Sequence, residues 1–277
     1  MKMKYKMIAL DLDGTLKSSD ATGRIILPKT KKILIELAKK GIVIVLASGR
    51  PTAGLYAEAN ELQLNDFGGY LLSFNGAKVV NYQTKEVIFQ KIFDATTAHL
   101  VYDRAKKYNL AVMTYTDQEI ITEDSADQYV QIESKINNMP LKQVDDFKAV
   151  VDYPVNKVLL TGKPEYAAKI EDEFKAPFKD SLSIYRSAAY FIEVMAKDID
   201  KAASLKVLAD SLNIRPEEII SFGDGYNDLS LIEFSGLGVA MGNAVDEVKQ
   251  RANYITLSND DEGIYDCLNK LVERGEI

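Results

Sequence analysis

A short apolar run that ends in two acids places the strongest constraint on the fold of this chain. Met7–Leu10 has the length and composition of a buried strand, and Asp11 and Asp13 follow at once in the sequence Asp-Leu-Asp-Gly-Thr. Gly14 permits backbone conformations that other residues resist, so the chain can turn there and bring the two carboxylates to one point. Two carboxylates so close together repel each other, and burial increases the repulsion. Because a bound cation would relieve it, we expect a functional site here rather than a solvated acidic turn.

A second acidic segment follows another apolar run late in the chain. Ile219–Phe222 predicts a strand, and a helix is predicted over 229–235. Between them lie Asp224, Asn227 and Asp228, in the sequence Gly-Asp-Gly-Tyr-Asn-Asp. Taken alone, this sequence is typical of a glycine turn with a helix cap. Together with the acids after the first strand, it predicts four acids and one amide converging from two strand ends that are far apart in sequence.

The order of the predicted elements indicates an α/β fold. A helix over 29–40 precedes a continuous apolar run at 42–47, and a third strand is predicted at 70–74. The same alternation returns after residue 200. Strands that are apolar along their whole length are typical of a parallel sheet that helices cover on both faces.

Between these two blocks the pattern changes, which indicates an inserted domain. Strands there alternate polar and apolar residues, as in Asn156–Leu160, and this is typical of an antiparallel sheet with helices on one face. We therefore expect a discontinuous core over 1–81 and 188–277, with an α+β insertion over 82–187. The elements predicted for the middle of the chain are strands at 87–93, 109–116, 155–161, 182–186 and 190–195 and helices at 95–108 and 164–175.

Polar residues stand where each predicted core strand ends, and open parallel sheets bind ligands at that edge. Beyond the acids, Ser48, Gly49 and Arg50 follow the second strand and Asn75 follows the third. Ser48 and Gly49 could offer a hydroxyl and backbone N–H groups to an anion. Lys201 begins a predicted helix, where the helix dipole disfavours a cation unless an anion or carboxylates lie nearby. The alternative for Lys201 is an ordinary surface lysine.

Composition excludes several classes of function. The net charge is −7 and no dense basic run is present, which argues against a general nucleic-acid binder. His99 is the only histidine, so a multi-histidine zinc site is impossible and the chemistry must use carboxylates and hard cations. Cys267 is the only cysteine, which excludes an intrachain disulfide and favours a reducing compartment. No apolar run has the length of a signal peptide core or a membrane span, and we expect a cytoplasmic protein.

Taken together, these motifs resemble those of the haloacid dehalogenase superfamily of phosphatases. The matching set consists of Asp-Leu-Asp-Gly-Thr at 11–15, Ser48–Arg50, Lys201 and the acidic segment at 223–228. The insertion, with Phe-Asn-Gly-Ala at 74–77, is similar to the Cof-type branch, which carries a class IIB cap. The segments Ala-Met-Gly-Asn-Ala at 240–244 and Asn-Asp-Asp-Glu-Gly-Ile at 259–264 are similar to that branch as well. The resemblance implies a Rossmann-like parallel sheet core with an inserted α+β cap domain.

The resemblance also implies a role for each matching residue. Asp11 is expected to be the nucleophile that forms an aspartyl-phosphate, and Asp13 the acid that protonates the leaving alcohol and then activates water. Ser48, where the family often has threonine, would hold the phosphoryl group together with Lys201. The expected Mg²⁺ ligands are Asp11, the backbone carbonyl of Asp13, Asp224 and, in support, Asp228. The residues expected to bind substrate or phosphate are Leu12, Ser48, Gly49, Arg50, Asn75, Lys201 and Asn227.

Residues and resemblance together predict a Mg²⁺-dependent phosphatase of small phosphorylated metabolites, with sugar phosphates as the expected class. We expect a monomer or weak dimer with no nucleic-acid or membrane partner. Two alternatives stay open. A phosphosugar mutase would need a clamp for a second phosphate, and Arg104 and Arg186 are the only arginines of the insertion. A non-catalytic regulator that binds a phosphometabolite would not need the catalytic positions, yet all of them hold competent residues.

Overall fold

Strands and helices alternate along most of the chain in the structure, a computed structural model that describes residues 4–19 and 25–277. The strands are β1 (Met7–Leu10), β2 (Val43–Ala47), β3 (Gly69–Ser73), β4 (Lys78–Asn81), β5 (Val87–Gln90), β6 (Ala111–Tyr115), β7 (Ile120–Thr122), β8 (Leu141–Gln143), β9 (Lys157–Thr161), β10 (Leu182–Ala188), β11 (Phe191–Ala196), β12 (Ile219–Gly223), β13 (Leu237–Ala240) and β14 (Tyr254–Ile255). The α-helices are α1 (Pro28–Lys39), α2 (Tyr56–Glu61), α3 (Leu64–Phe67), α4 (Ala95–Lys107), α5 (Gln128–Asn137), α6 (Phe147–Val150), α7 (Pro164–Lys175), α8 (Lys201–Ser211), α9 (Leu229–Phe234), α10 (Asp246–Arg251) and α11 (Gly263–Glu273).

The chain divides into two compact units. The first consists of Met1–Gly49, Leu55–Phe89 and Asp200–Ile277, and the second of Arg50–Gly54 and Gln90–Ile199. Residues 1–3 and 20–24 of the expected core lie outside the described residues.

An eight-stranded sheet forms the centre of the first unit. Its strand order is β14-β13-β12-β1-β2-β3-β4-β5. The six strands from β14 to β3 pair in parallel, and β3 pairs with β4 in antiparallel fashion. Strands far apart in sequence, such as β1 and β12, are therefore neighbours at its middle. The α/β fold with a parallel sheet is confirmed.

Both faces of this sheet are covered, as the continuous apolar strands predict. Along β1, Ile8 and Leu10 belong to the hydrophobic cluster that includes residues of α1 and α11. Met7 and Ala9, which point to the opposite face, belong to the cluster that includes Leu205 of α8. A strand that is buried on both faces must be apolar at every position, and this is why β1 shows no alternation.

The second unit contains a six-stranded sheet with the strand order β10-β11-β9-β6-β7-β8. Its pairs are antiparallel except for β7 with β8. Residues of α4 and α7 pack in one hydrophobic cluster with alternate residues of the sheet, for example Val158 and Leu160 of β9. The mainly antiparallel sheet that the alternating pattern predicts is therefore present, with α4 and α7 packed on one of its faces.

The boundaries of the two units differ from the expected 82–187 insertion. The β5 strand extends the sheet of the first unit, although it was expected within the insertion as a strand over 87–93. At the other end, β11 pairs with β9 and β10, so the chain stays in the second unit until Ile199. The reason is that a strand belongs to the sheet with whose strands it pairs. The alternation of polar and apolar residues along a strand does not show which strands those are.

The longest of the described helices, Ala95–Lys107, has 13 residues. Among the described residues, no helix combines the length and the apolar character that a membrane span requires.

Candidate active site

The ends of β1 and β12 bring the two acidic segments together. The two strands pair in parallel with Leu10 opposite Phe222, and the backbone N–H of Asp11 donates to the carbonyl of Phe222 at 3.1 Å. Parallel strands in register end at the same edge of the sheet, so the residues that follow them meet there. The convergence predicted from the two apolar runs is therefore a consequence of this strand pairing.

Three carboxylates form a tight cluster at this edge. Oxygen atoms of Asp11, Asp224 and Asp228 all lie within 4.8 Å of one another. Asp11 and Asp228 are buried, and Asp224 is half-buried. Both oxygens of Asp228 accept hydrogen bonds, Oδ1 from Lys201 Nζ and Oδ2 from the backbone N–H groups of Asp224 and Gly225 at 3.0 and 3.1 Å. Asp228 thereby fixes the course of the loop after β12.

Lys201 supplies the cation of this cluster. The carboxylate of Asp200 accepts from the backbone N–H of Ala203 at 2.8 Å and caps the start of α8, which makes Lys201 its first residue. The Lys201 side chain is only 1% exposed. Its Nζ donates to Asp11 Oδ1 at 2.7 Å and to Asp228 Oδ1 at 2.6 Å. The interpretation of Lys201 as an ordinary surface lysine is therefore wrong.

The electrostatic balance of the cluster favours a further positive charge. Burial raises the pKa of Asp11 well above the usual range of a carboxyl group; Asp228 adds to the rise and Lys201 opposes it. Burial also raises the pKa of Asp224 to about 6. Although burial opposes it, the carboxylates of Asp11 and Asp228 raise the pKa of Lys201 above its usual range. One ammonium thus remains charged beside three carboxylates, which leaves two negative charges uncompensated when all are ionised.

This donor set fits a hard divalent cation. Carboxylate and carbonyl oxygens are the ligands that Mg²⁺ prefers, and the uncompensated charge of the cluster matches its charge. Asp11 and Asp224 are the residues with an oxygen available to such an ion, because Asp228 is committed to Lys201 and to two backbone N–H groups.

Asp13 lies at the edge of the cluster on a tightly held turn. It is half-buried, and its backbone bridges to Lys17. The next residue, Gly14, has a φ of +89°, and a Cβ added there would lie 2.4 Å from Asp224 Oδ2. Only glycine therefore allows the turn to approach Asp224 this closely. The neighbouring Thr15, buried, donates its hydroxyl to Asp224 Oδ1 at 2.7 Å.

Two further strand ends contribute polar groups to the same unit. Ser48 is buried at the end of β2, and its backbone carbonyl accepts from the N–H of Asn75 at 2.9 Å. Asn75 has a φ of +54° in the left-handed region, as does Phe74 before it. Its Oδ1 accepts from Asn227 Nδ2 at 3.3 Å. Such strain in neighbouring residues is typical of functional sites, where the surroundings hold a side chain in a required direction.

Two of the residues expected to bind phosphate have side chains engaged in other contacts. The side chain of Leu12 is fully buried in the hydrophobic cluster of the first unit, so only its backbone N–H is left for a ligand. Arg50 belongs to the second unit, where its guanidinium donates to the carbonyl of Ile136 at 2.8 Å.

Three residues contact this site although no role was predicted for them. Thr15 holds Asp224, and Asn243 and Asn259 hold the turn that carries Asp13. All three lie within segments that carry the resemblance to the superfamily, namely 11–15, 240–244 and 259–264. The signal was therefore present, but it did not show which atoms these side chains contact.

Comparison with known proteins connects this site with one enzyme superfamily. The family model for haloacid dehalogenase-like hydrolases matches residues 8–268. A putative phosphatase of Bacillus subtilis, YxeH, is 30% identical over 271 residues, which cover 97% of this chain and 98% of that protein.

Solved structures show the same relationship. A haloacid dehalogenase-like hydrolase from Bacteroides thetaiotaomicron is 41% identical, with a TM-score of 0.93 and coverage of 97% of this chain and 100% of the other. A sugar phosphatase of subclass IIB is 26% identical, with a TM-score of 0.77 and coverage of 98% and 100%.

Proposed function

This chain belongs to the haloacid dehalogenase-like hydrolases of the Cof type, and from that premise we propose that it is a Mg²⁺-dependent phosphatase of small phosphorylated metabolites. The observation that carries the proposal is the contact of buried Lys201 with both Asp11 and Asp228, beside Asp224. A buried cation among carboxylates that still carry two uncompensated negative charges is suited to a divalent metal ion together with a dianionic phosphate. Members of the family include phosphatases, and a chain with every acid in place is expected to be active.

Asp11 is the proposed nucleophile. Its Oδ1 accepts from Lys201, which fixes the direction of the carboxylate and leaves Oδ2 to attack phosphorus. In the first step a bond forms between this oxygen and phosphorus while the bond between phosphorus and the alcohol oxygen breaks. The product of the step is an aspartyl-phosphate on Asp11. Phosphoryl transfer depends mainly on positioning and charge stabilisation, and the buried Lys201 supplies both.

Asp13 is the proposed acid and base. It lies at the edge of the cluster rather than within it, and is more accessible than Asp11. In the first step it gives its proton to the departing alcohol oxygen. In the second step it takes a proton from water as the water oxygen attacks the aspartyl-phosphate, which releases inorganic phosphate and restores Asp11.

The other strand ends are proposed to bind the transferring group. Ser48 offers a hydroxyl and Gly49 a backbone N–H, while Asn227 offers its side-chain amide next to Asn75. Asp11, the carbonyl of Asp13 and Asp224 would hold Mg²⁺, with Asp228 orienting the loop around them. When bound, the ion neutralises charge on the phosphate and on the cluster.

The proposed substrates are sugar phosphates and similar small alcohol phosphates. One support is the subclass IIB sugar phosphatase, which aligns with nearly the whole chain. A second is the net charge of −7, which disfavours polyanions such as nucleic acids.

The test is a panel of hexose, pentose and polyol phosphates, with a phosphopeptide and a 5′-phosphorylated oligonucleotide for comparison. We expect inorganic phosphate to be released, with the highest kcat/KM among the sugar and polyol phosphates. Hexose 1-phosphate is followed by phosphorus NMR, because an isomeric hexose phosphate as product would indicate a mutase. No turnover of any ester in the presence of Mg²⁺ would contradict the proposal.

A further inference from the structure

Two asparagines from the C-terminal part of the chain hold the turn that follows β1. Asn243 Nδ2 donates to the carbonyl of Gly14 at 2.8 Å. Asn259 Nδ2 donates to the carbonyl of Lys17 at 2.8 Å and to Ser19 Oγ at 3.0 Å. The proposed reaction uses neither asparagine. Both nevertheless contact the short segment on which the proposed acid is carried.

The two asparagines are also joined to each other. The backbone N–H of Asn259 donates to Asn243 Oδ1 at 3.0 Å, and the Asn259 side chain is buried. Asn243 therefore accepts from one loop through its carbonyl oxygen and donates to another through its amide nitrogen. The amide supplies an acceptor and a donor on separate atoms, whereas an aspartate would place negative charge against the Gly14 carbonyl.

The two carbonyls that the asparagines hold belong to residues directly connected with Asp13. Gly14 is its neighbour in the chain, and Lys17 bridges to Asp13 through the backbone. The close approach of Gly14 to Asp224 leaves no room for the turn to shift toward the cluster. The hydrogen bonds from Asn243 and Asn259 oppose displacement of the turn. The asparagines thus restrain the backbone on which Asp13 is carried.

We propose that Asn243 and Asn259 are positioning residues that hold Asp13 where it can protonate the leaving alcohol. The inference rests on the proposed function, because it presupposes that Asp13 is the acid. Without the asparagines the turn keeps its own backbone bonds, from Leu16 N–H to the Asp11 carbonyl and from Lys17 N–H to the Leu12 carbonyl. The variants should therefore fold, with Asp13 displaced rather than lost. A displacement of about 1 Å is enough to lower a rate by about two orders of magnitude.

The test compares two aryl phosphates of similar shape. p-Nitrophenyl phosphate has a leaving group that departs without a proton, whereas phenyl phosphate releases a more basic oxygen that needs one. The quantity compared is kcat/KM, because it covers only the steps up to departure of the alcohol and excludes hydrolysis of the aspartyl-phosphate. The variants are Asn243→Ala, Asn243→Asp and Asn259→Asp, with Asp13→Asn as the reference for a missing acid.

We expect kcat/KM for phenyl phosphate to fall at least about tenfold more than that for p-nitrophenyl phosphate in the asparagine variants and in Asp13→Asn. Asn253→Ala is the matched control. Asn253 is likewise an exposed loop asparagine of the same unit that accepts from a backbone N–H, that of Gly238 at 2.7 Å, but it does not contact the turn. In Asn253→Ala, the ratio of kcat/KM for phenyl phosphate to kcat/KM for p-nitrophenyl phosphate should equal that of the wild type.

The outcomes separate the inference from the proposed function. Equal falls for both esters in the asparagine variants, alongside a selective fall in Asp13→Asn, would overturn the positioning role alone. A ratio that does not change even in Asp13→Asn would overturn the role of Asp13 as the acid, and with it this part of the proposed function. Thermal unfolding of each variant shows whether the fold is kept, and Asn243→Ala, at an exposed position, keeps the test decisive if Asn259→Asp does not fold.

Discussion

Lys201 and Asp11 are 190 positions apart in the chain, yet Lys201 Nζ lies 2.7 Å from Asp11 Oδ1 in the interior of the first unit. The contact explains a residue choice that helix electrostatics alone disfavours. A lysine at the first position of a helix faces the positive end of the dipole. Here it also faces two buried carboxylates, and their attraction is much stronger because it acts where water is excluded.

Replacing Lys201 with methionine should abolish most of the activity. The substitution keeps the length of the side chain but removes the charge that the proposed reaction uses, and we expect kcat/KM to fall at least about 10²–10³-fold. The buried carboxylates lose their counter-charge, at a cost of about 3–5 kcal/mol in the free energy of unfolding. Steady-state kinetics and urea unfolding measure both effects. Lys206→Met is the control, since Lys206 pairs with Asp210 on the exposed side of the same helix and should affect neither quantity.

The substitution Asp11→Asn should lower the activity without lowering the stability of the fold. The amide has nearly the same shape but cannot form the aspartyl-phosphate, so turnover should fall at least about 10³-fold. It also removes one negative charge from the cluster, and the metal-free variant should unfold at the same temperature as the wild type or higher. Hydrolysis by the purified variant at a rate near that of the wild type would rule out Asp11 as the nucleophile.

The buried strands of the first unit could be predicted from the sequence, because their burial shows in the composition of each strand. The β1 and β12 strands are apolar at every position because both faces are covered, and their neighbouring places in the sheet bring Asp11 and Asp224 together. Lys201 was a plausible site residue from its place at a helix start. The sequence did not show whether the Lys201 side chain points to solvent or to the carboxylate cluster, because that depends on where α8 packs.

Pairing and side-chain partners could not be predicted to the same extent. The three-residue strands β7 and β8 are too short to show an alternation, and their place beside β6 depends on tertiary contacts. The hydroxyl of Thr15 and the amide of Asn243 belong to recognisable segments. Their partners, Asp224 and the carbonyl of Gly14, are more than 200 residues away in the chain.

Removal of Mg²⁺ should stop turnover, and the Mg²⁺ requirement should depend on pH. A carboxyl group whose pKa is raised keeps its proton to a higher pH, so protons compete with the metal ion at Asp224 below about pH 6. The Mg²⁺ concentration for half-maximal rate should therefore rise as the pH falls through 6, by up to about tenfold per unit. Metal titrations of EDTA-treated enzyme at several pH values measure this. Full activity after exhaustive chelation would contradict a metal requirement.

The ion pair of Lys17 and Glu58 should stabilise the fold more than surface pairs do. Both side chains are largely buried, and Glu58 Oε2 has no hydrogen-bond partner among the described residues. Lys17→Met leaves a buried carboxylate without its counter-charge, and we expect the free energy of unfolding to fall by about 3–5 kcal/mol. The double variant Lys17→Met with Glu58→Leu should regain most of that loss.

A matched exposed pair provides the comparison for Lys17 and Glu58. Lys32 and Glu36 lie on one face of α1 with Nζ and Oε1 4.0 Å apart, and both are exposed. Lys32→Met should change the free energy of unfolding by less than about 0.5 kcal/mol. Urea unfolding of the three variants decides the matter, and equal effects of Lys17→Met and Lys32→Met would show that burial adds nothing to the pair.

The hydroxyl of Thr15 should set the affinity for Mg²⁺ rather than the chemistry. It donates to Asp224 Oδ1 at 2.7 Å, which orients the carboxylate proposed to bind the ion. Groups that orient a metal ligand typically change metal affinity by 10–100-fold, so Thr15→Val should raise the Mg²⁺ concentration for half-maximal rate at least about tenfold. The rate at saturating Mg²⁺ should change much less, and Thr15→Ser, which keeps the hydroxyl, should behave as the wild type.

The control for Thr15 is a second buried threonine that donates to a carboxylate. Thr30 Oγ1 donates to Glu262 Oε2 at 2.7 Å, at the start of α1 and within the same unit. Thr30→Val removes a hydrogen bond of the same kind and should lower the free energy of unfolding by a similar amount, about 1–3 kcal/mol. It should leave the Mg²⁺ dependence unchanged, because Glu262 is not a proposed ligand. If Thr15→Val lowers stability as Thr30→Val does but leaves the Mg²⁺ titration unaltered, then Thr15 only supports the fold and Asp224 does not need it to bind the ion.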